Sequence, residues 1–373
     1  MTIGINARNI LPNKLEGFGH YSLEITKRIC ETHPEHDFVL FFDREIDPKL
    51  SFGNNVKTVV LFPPTRHPLL WILWFEISLP ISLKKHKVDL FWSPDGFCSL
   101  ISKTPQIITI HDINFEHFPK DMPYLVNRYF RFFFPKFARK AKKILTVSNY
   151  SKNDICKTYK IEESKIEVVY NAPNEIYQAL DESSKVSVKN KFSFGFDYFL
   201  FVGSLHPRKN VQRLIDAFVL AKTELSDLKL VIVGSAMWKD KFLKIPETVE
   251  KDIVFLGHLS LNDLSKVTAS ALALTYVPYF EGFGIPLVEA MKTGTPILAA
   301  DATSLPEVAL ESAIYCDPFD VSSISNGMKL IFKDKVLRSQ LAKNGLERSN
   351  YFNWDESAKQ VWSIIEQQII SIH

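Results

Sequence analysis

Residues 280–289 read FEGFGIPLVE, and this stretch decides the fold of the chain. An apolar run, residues 271–275, precedes it, while a Thr-Gly helix breaker and a second apolar run, residues 296–299, follow it. This order predicts a buried strand, a glycine-rich loop, a helix that begins at Gly284, and another strand. Pro286 stands in the first turn of that helix, where its missing N–H costs little. Free N–H groups and the positive end of the helix dipole then favour an anionic or hydroxyl-rich ligand in front of the loop.

Two glutamates, Glu281 and Glu289, stand eight positions apart in this stretch. Glu281 lies on the loop and Glu289 lies further along the helix, so we expect both to face the ligand crevice at the carboxyl end of the sheet. The alternative is that each is an ordinary solvated carboxylate. Gly282 and Gly284, which flank Phe283 on a loop leaving a buried strand, favour the ligand site.

The bulk composition indicates a globular protein of two domains. The chain has 373 residues, 46% of them hydrophobic and 23% charged, and its net charge of +3 gives no overall signal for nucleic acid. Its four cysteines include no C-x-x-C pair, which suits reduced thiols in a cytosol. The longest apolar run, residues 69–83, is interrupted by Glu76 and Pro80 and is too short to cross a bilayer. We see no signal peptide, and we expect a cytoplasmic protein that can touch the inner face of a membrane without crossing it.

Short apolar runs alternate with helical patterns along the chain, which predicts an α/β fold of parallel sheets with crossover helices. The predicted strands of the first half are residues 3–6, 38–42, 56–61, 89–92, 106–110, 144–147 and 166–169. The pattern then restarts, with predicted strands at residues 199–202, 229–233, 253–256, 271–275, 296–299 and 313–316. Between the halves, residues 174–193 are polar and aperiodic, and we place the interdomain linker there.

The second half supplies two cations directly after its first strand. Arg208 and Lys209 end the run 203–209, GSLHPRK. A strand-loop-helix layout puts them at the mouth of the crevice, where each can make charge-assisted bonds to the phosphate oxygens of a nucleotide diphosphate. The alternative, two solvated basic residues in the first turn of a helix, is disfavoured because cations there oppose the helix dipole.

The first half offers two further candidates. Gly17 and Gly19, preceded by Glu16, lie between the first strand and a helix expected from Tyr21. The pair suggests dinucleotide binding, but Ser22 occupies the third glycine position, so an ordinary tight turn is the alternative. A His-Asp pair, residues 111–112, ends the strand at 106–110. The histidine is either part of the site or structural, and the aspartate either orients the imidazole or caps the next turn.

Residues 123–143 interleave aromatic and basic side chains. The run from Arg128 to Lys143 contains seven positive charges and no negative one. A basic amphipathic helix of this kind is typical of proteins that bind an anionic membrane surface. The alternative is a helix that packs its phenylalanines on the core and keeps its bases in water. The candidate membrane contacts are Arg128, Arg131, Arg139, Lys140, Lys142 and Lys143.

Taken together, these motifs resemble the retaining nucleotide-sugar glycosyltransferases of family 4, which have the GT-B fold. Residues 281–289 resemble the Glu-x7-Glu element of the family, and residues 203–209 resemble its phosphate-gripping loop. Further matches at residues 146–151, 168–172 and 304–308 extend the resemblance over nearly the whole chain. Ser204 and Arg208 stand where many members have Arg and Glu, and we interpret Arg208 as the substitute for the missing arginine. Asn6 stands where the subgroup commonly has Asp, which puts the role of a carboxylate there in doubt.

The resemblance implies two Rossmann-like doubly wound domains that face each other across a cleft. They would comprise residues 1–178 and 190–352, with a closing helix, residues 354–373, returning to the first domain. It also implies a retaining hexosyltransferase whose partners are a nucleotide-sugar donor and a glycan or lipid-linked glycan acceptor. The donor is the co-substrate, and no cofactor or metal is expected, since the chain has no Asp-x-Asp triplet. The Pro-Arg-Lys-Asn loop resembles bacterial mannosyltransferases of surface-polysaccharide assembly, which makes GDP-mannose the first candidate donor.

The site residues follow from the matched motifs. Catalytic roles would belong to His111, which the family presents to the donor sugar, and to Glu281. Donor binding would involve Gly17, Gly19, Arg208, Lys209, Phe283, Gly284, Ile285 and Glu289. A sugar-nucleotide epimerase and a non-catalytic nucleotide-sugar-binding subunit are the alternatives. The Glu-x7-Glu helix is not a signature of the epimerases, and a binding remnant has no need of the complete set of charged residues.

Overall fold

The computed structural model describes residues 1–11, 17–47, 50–225, 227–234 and 243–370. The chain divides into two compact units, one made of Met1–Asn171 with the segment from Asn353 onward, and the other of Ala172–Phe352. Glu16 and the last three residues of the expected closing helix lie outside the described residues. Both units are built on a parallel sheet, as the sequence predicts.

The sheet of the first unit has seven strands within the described residues, in the order β3-β2-β1-β4-β5-β6-β7. All seven predicted strands are present, with ends that shift by at most one residue. The order reverses beside β1, and the crevice outside the carboxyl ends of the strands at such a point is where open α/β sheets bind ligands. The strands are β1 (Thr2–Asn6), β2 (Asp37–Phe42), β3 (Val56–Val60), β4 (Leu90–Ser93), β5 (Gln106–Thr109), β6 (Lys143–Thr146) and β7 (Ile166–Val168).

The helices of the first unit include one region that the sequence analysis left without an element. The apolar run at 69–83 forms two helices joined by a π-helical turn, Trp74–Ser78. Its hydrophobicity extends all round the segment, so no period of 3.6 marks it as a helix. The helices are α1 (Gly17–Thr32), α2 (Pro68–Leu73), α3 (Leu79–Lys85), α4 (Asn114–His117), α5 (Tyr124–Lys140) and α6 (Asn149–Tyr159).

The second unit has a six-stranded sheet in the order β10-β9-β8-β11-β12-β13, counted over the same described ranges. All six predicted strands are present, with ends that shift by at most two residues. The strands are β8 (Asp197–Val202), β9 (Leu228–Val233), β10 (Ile253–Gly257), β11 (Ala273–Tyr276), β12 (Ile297–Ala300) and β13 (Ala313–Cys316). The helices are α7 (Glu182–Ser193), α8 (Val211–Lys222), α9 (Leu261–Ser270), α10 (Ile285–Lys292), α11 (Leu305–Ala309), α12 (Val321–Lys333) and α13 (Lys335–Ser349).

The segment expected to be an aperiodic linker, residues 174–193, differs from that expectation. Its second half is helix α7, which begins after Asp181, whose carboxylate accepts a hydrogen bond of 2.8 Å from the N–H of Ser184. This local cap starts a helix that carries almost no amphipathic pattern. The chain passes from the first unit to the second between Asn171 and Ala172, ahead of that segment.

The closing helix, α14 (Trp354–Ile370), belongs to the first unit. Arg28 Nε of α1 lies 2.6 Å from Asp355 Oδ1, and the ring of His33 stacks on Trp362 with ring centroids 3.8 Å apart. A salt bridge and an aromatic stack therefore join α14 to α1 and the loop that follows it. Within the described residues, no helix has both the length and the apolar character of a membrane span.

Candidate functional site

The stretch that decides the fold adopts the predicted loop and helix. Gly284 has φ +92° and precedes the first residue of α10, and Pro286 lies in the first turn. A Cβ on Gly284 would stand 2.6 Å from Leu305 Cδ2, so both backbone conformation and space require glycine. The hydroxyl of Ser304 donates to the carbonyl of Glu281 at 3.0 Å. The matched motif at 304–308 thus holds the loop in place.

The two predicted cations and the first glutamate come together in the second unit. Arg208 Nη1 lies 2.7 Å from Glu281 Oε1, and Lys209 Nζ donates to the same oxygen. Lys209 also donates to the hydroxyl of Tyr276, at 2.6 Å. The cations follow β8 and the glutamate follows β11, and these two parallel strands are neighbours in the sheet. Their carboxyl ends therefore place the three side chains at one point of its edge.

The backbone between the cations and α8 depends on Asn210. Arg208 and Lys209 lie in a 3-10 turn, and Asn210 after it has φ +63°, a conformation that Asn adopts more readily than most residues. Its amide donates to the carbonyls of Val277 at 2.9 Å and Pro318 at 2.6 Å. Asn210 therefore joins the loop after β8 to the segments that follow β11 and β13. The sequence analysis gave it no role, although an Asn directly before a helix is the available signal.

The surroundings of the cluster decide the protonation states of Glu281 and Tyr276. Burial acts to raise the pKa of Glu281, which is 7% exposed, but Arg208 and Lys209 outweigh this effect and lower it. Burial and the nearby Glu281 raise the pKa of Tyr276, so its hydroxyl stays neutral. Arg208 and Lys209 at this edge of the sheet suit a ligand that carries negative charge.

Glu289 lies in a different environment from Glu281. Its side chain is half-buried, and burial raises its pKa to about 8, with the neighbouring Tyr177 acting in the opposite direction. Tyr177 is fully buried, and its hydroxyl makes no hydrogen bond of normal geometry. Glu289 also contributes to the raised pKa of Tyr276, so both glutamates of the motif act on that hydroxyl. Tyr177 lies in an irregular segment and carries no sequence signal.

The raised pKa of Glu289 predicts a specific pH dependence of stability. A carboxyl group whose pKa is about 8 in the folded state and 4.5 when unfolded stabilises the fold fully below pH 4.5. That contribution is lost as the pH rises towards 8. The Glu289→Gln variant has no carboxyl group to ionise at this position. The melting temperature of the variant minus that of the wild type should therefore be larger at pH 9 than at pH 5. Differential scanning calorimetry measures the two melting temperatures at each pH, and Glu347→Gln, at an exposed position, is the control. An equal difference in melting temperature at pH 5 and pH 9 would contradict the raised pKa of Glu289.

His111 is held in one orientation by the first unit. Its Nε2 lies 2.8 Å from the carbonyl oxygen of Pro94, so Nε2 carries the proton and Nδ1 is the acceptor. Burial lowers the pKa of the imidazole, which is therefore neutral near pH 7. The Asp112 carboxylate accepts from the N–H of Asn114 at 3.1 Å. Of the two roles left open for Asp112, the structure shows the cap of the next turn.

The glycine pair differs from its prediction. Helix α1 begins at Gly17, so Gly17 and Gly19 lie in its first turn and not on a loop before Tyr21. The prediction was wrong because glycine is a poor helix former in helix interiors, whereas a first turn tolerates it. The rings of Phe18 and Tyr21 lie 6.3 and 5.0 Å from that of His111, between centroids. The start of α1 and His111 therefore share one region of the first unit.

A carboxylate that the sequence analysis missed, that of Asp95, lies beside Asn6 and Arg8. The amide of Asn6 donates to Asp95 Oδ1 at 2.9 Å, and Arg8 Nε lies 2.6 Å from Asp95 Oδ2. Asp95 follows β4, which is the parallel neighbour of β1 in the sheet. The residues at the carboxyl ends of these two strands therefore lie side by side. Asp95, to which the sequence analysis gave no role, thus binds the side chains of both Asn6 and Arg8.

The basic-aromatic segment forms α5 and continues into the start of β6. Tyr129, Phe134 and Phe137 are buried in the core of the first unit, which supports the packing interpretation for the aromatic face. Arg128, Arg139, Lys140 and Lys142 are exposed. Arg131 Nε lies 2.9 Å from Glu116 Oε2. Lys143 is half-buried and donates to the carbonyl of Ser164 at 2.7 Å and to Glu167 at 3.0 Å, so it does not fit the membrane contact predicted for it.

No group of three His, Cys, Asp or Glu side chains that could hold a metal ion occurs among the residues that the structure describes. The candidate site consists of cations, carboxylates, hydroxyls and backbone N–H groups. Its chemistry is that of hydrogen bonding and electrostatic stabilisation of a charged, hydroxyl-rich molecule.

Two family models each match one half of the chain. The model of Glycosyltransferase Family 4 matches residues 17–174, and that of Glycosyl transferases group 1 matches residues 184–348. O-antigen chain mannosyltransferase B of Escherichia coli is 28% identical over 93% of this chain and 94% of its own length. O-antigen chain mannosyltransferase RfbU of Salmonella typhimurium is 32% identical over 75% of this chain and 74% of its own length.

Solved structures show the same fold. HepE of Anabaena, in complex with UDP-glucose, superposes with a TM-score of 0.76 at 18% identity, over 98% of this chain and 100% of that one. The two parallel-sheet units correspond to the two domains of the GT-B architecture. The chain belongs to glycosyltransferase family 4 and has the GT-B fold.

Proposed function

We propose that this glycosyltransferase moves mannose from GDP-mannose to a glycan or lipid-linked glycan, with retention of the anomeric configuration. The observation that carries the proposal is the cluster of Arg208, Lys209 and Glu281, with Glu289 on the same motif. The names of the two bacterial relatives support mannose and a surface polysaccharide. The UDP-glucose complex of the Anabaena neighbour supports a nucleotide sugar as donor.

In this proposal, the cluster binds the diphosphate and the sugar together. Arg208 and Lys209 contact phosphate oxygens, while Glu281 accepts hydrogen bonds from sugar hydroxyls. The N–H groups of Phe283, Gly284 and Ile285, at the positive end of α10, complete the sugar site. Negative charge grows on the diphosphate as the glycosidic bond breaks, and fixed cations stabilise it without reorganisation. Neither a resident metal nor a cofactor has a part in this scheme.

Glu289 accepts hydrogen bonds from the ribose hydroxyls in this scheme. Its carboxyl group is mostly protonated at pH 7 without ligand, because its pKa is about 8. Two hydroxyl donors favour the ionised form and lower that pKa on binding. The buried Tyr177 lies beside this carboxyl group.

The first unit contributes His111 and the first turn of α1. Because the imidazole is neutral and its Nε2–H is used by Pro94, we assign His111 as a hydrogen-bond acceptor through Nδ1 toward the donor sugar. Gly17 and Gly19 give the diphosphate access to backbone N–H groups at the start of α1. His111 acts here through binding and orientation, and it does not transfer a proton.

The proposed chemistry predicts the behaviour of the reaction toward metals and the stereochemistry of its product. Transfer from GDP-mannose should persist in EDTA, because cationic side chains neutralise the diphosphate. The mannosyl product should keep the α configuration of the donor, which NMR of the new anomeric proton and carbon determines. Loss of activity in EDTA that manganese restores would contradict the metal-free scheme. A β product would contradict retention.

The exposed bases in the last turn of α5 and directly after it predict contact with an anionic membrane surface on the cytoplasmic side. Anionic lipids attract each nearby Lys or Arg by about 1 kcal/mol. Replacing Arg139, Lys140 and Lys142 with Ser should therefore reduce co-sedimentation with anionic vesicles at low salt and leave nucleotide binding unchanged. The matched control replaces three exposed lysines of the second unit with Ser. These are Lys266, Lys335 and Lys343. Equal loss in both variants would show that the contact is not specific to α5.

A further inference from the structure

An apolar stripe lies on the outer face of the helical segment at residues 68–85. Four side chains at intervals of four residues form it, and each is exposed: Leu69 by 65%, Leu73 by 43%, Ile77 by 52% and Ile81 by 65%. The opposite face holds Trp74, Phe75, Leu79 and Leu83, which are buried in the core of the first unit. The stripe is therefore fixed on a well-anchored segment and is not a fraying end.

The π-helical turn keeps this stripe on one face. Four residues of an α-helix turn about 400°, so side chains spaced by four drift by about 40° at each step. The wider turn at Trp74–Ser78, in which the N–H of Leu79 bonds to the carbonyl of Trp74, reduces that drift between Leu73 and Ile77. Such turns are rare and occur frequently at functional sites.

Neighbouring segments extend the apolar surface. Phe62 is 79% exposed, and its carbonyl accepts from the hydroxyl of Ser78. Ile101 is 65% exposed, and its N–H donates to Glu76 at 3.1 Å. Both residues therefore lie beside the segment that carries Ile77. A groove of about 910 Å³ between α2 and α5, lined in part by Leu69, Leu125 and Phe132, continues the surface on the other side.

The exposed charges in the part of the chain that carries the stripe are strongly asymmetric. Residues 56–105 contain six exposed cations and three acidic side chains. The three acids are occupied inside the fold: Glu76 accepts from the N–H of Leu100 at 2.9 Å, Asp89 accepts from a backbone N–H of β1 at 2.8 Å, and Asp95 pairs with Arg8. The cations are Lys57, Arg66, Lys84, Lys85, Lys87 and Lys103.

We propose that the segment at residues 68–85 is an interfacial helix that inserts Leu69, Leu73, Ile77 and Ile81 into the acyl boundary of an anionic phospholipid membrane. An exposed apolar stripe on a part of the chain whose exposed Lys, Arg, Asp and Glu side chains are all cationic fits such a surface better than a second copy of this chain, whose cations would repel. The inference deepens the membrane contact in the proposed function. It assigns the apolar contribution to α2–α3, since most aromatic side chains of α5 pack inside the unit.

The experiment is co-sedimentation with vesicles of phosphatidylglycerol and phosphatidylethanolamine at low and high salt. Salt screens the attraction of the cations but leaves apolar insertion. Replacing Leu73, Ile77 and Ile81 with Ser should lower the partition coefficient at high salt by roughly tenfold or more, because buried apolar area is lost. The matched control replaces exposed Leu220, Leu330 and Val336 of the second unit with Ser and should bind as the wild type does. Thermal melting checks that each variant is folded.

A second measurement places the stripe in the lipid directly. An environment-sensitive nitrobenzoxadiazole label on Ile77→Cys, in a Cys156→Ser background, should brighten and shift to the blue with vesicles. No spectral change, or equal high-salt binding of the stripe variant and the wild type, would overturn the inference while leaving the contact through α5. A wild type that binds no vesicles at all would overturn both the insertion of the stripe and the membrane contact through α5. If the wild type is a dimer and the stripe variant is a monomer, the stripe is an interface with a second copy of this chain, and the inference is overturned.

Discussion

Replacing Glu281 with Ala should lower the unfolding free energy of the second unit by about 3–5 kcal/mol, because it leaves two closely placed cations without their shared carboxylate. Lys209 is nearly buried, so solvent replaces little of the lost interaction. Native-state hydrogen exchange, followed by mass spectrometry on peptides of α8 and α10, measures the loss within the second unit.

A matched pair of variants separates this charge effect from lost packing. Lys209→Met leaves Glu281 paired with Arg208 at 2.7 Å and should cost less than the loss of the glutamate. The double variant Lys209→Met, Glu281→Leu should recover part of the stability lost in Glu281→Ala, since apolar side chains often replace a buried ion pair without penalty. A Glu281→Ala variant as stable as the wild type would show that the ion pairs contribute nothing.

Replacing Glu289 with Ala should weaken nucleotide binding by about 1–3 kcal/mol, or roughly 5- to 150-fold, because hydrogen bonds to a charged group are lost. Wild-type binding at pH 7 should also release a proton, since ribose hydroxyls lower a carboxyl pKa that starts at about 8. Isothermal titration calorimetry in two buffers of different ionisation enthalpy measures both quantities.

The control for this prediction is Glu347→Ala, which removes an exposed carboxylate of α13 in the same unit. It should bind nucleotide as the wild type does and release the same proton. Glu289→Gln should release none. Unchanged affinity in Glu289→Ala would remove Glu289 from the site, whereas weakened binding with unchanged proton release would contradict its protonated state.

The sheets could be predicted because their strands are short apolar runs bounded by polar turns. The missed helical elements have the opposite character. Segment 68–85 is apolar on both faces, so it has no helical period, and α7 is polar on nearly every face. The hydrophobic periodicity of the sequence marks none of these helices. Helices α2 and α3 depend on burial against the rest of the first unit, and α7 depends on the cap at Asp181.

The centre of the candidate site could be predicted from chain order alone. Arg208, Lys209 and Glu281 each follow a parallel strand, and strands of one sheet end at the same edge. The same rule would have found Asp95, which follows β4 next to Asn6 of β1, had the strand order been known. Tyr177 could not be predicted, since it lies in irregular backbone, and its position beside Glu289 exists only in the folded unit.

The proposed function requires that the second unit bind a guanine nucleotide sugar at the cluster of Arg208, Lys209 and Glu281. Thermal-shift measurement against GDP, UDP and ADP, with wild type and Glu289→Ala, tests it most directly. A ligand present at a hundred times its Kd adds about 2.7 kcal/mol of apparent stability. The account predicts that GDP raises the melting temperature of the wild type most and that Glu289→Ala loses most of this shift. No shift with any of the three, or an equal shift in the variant, would contradict it.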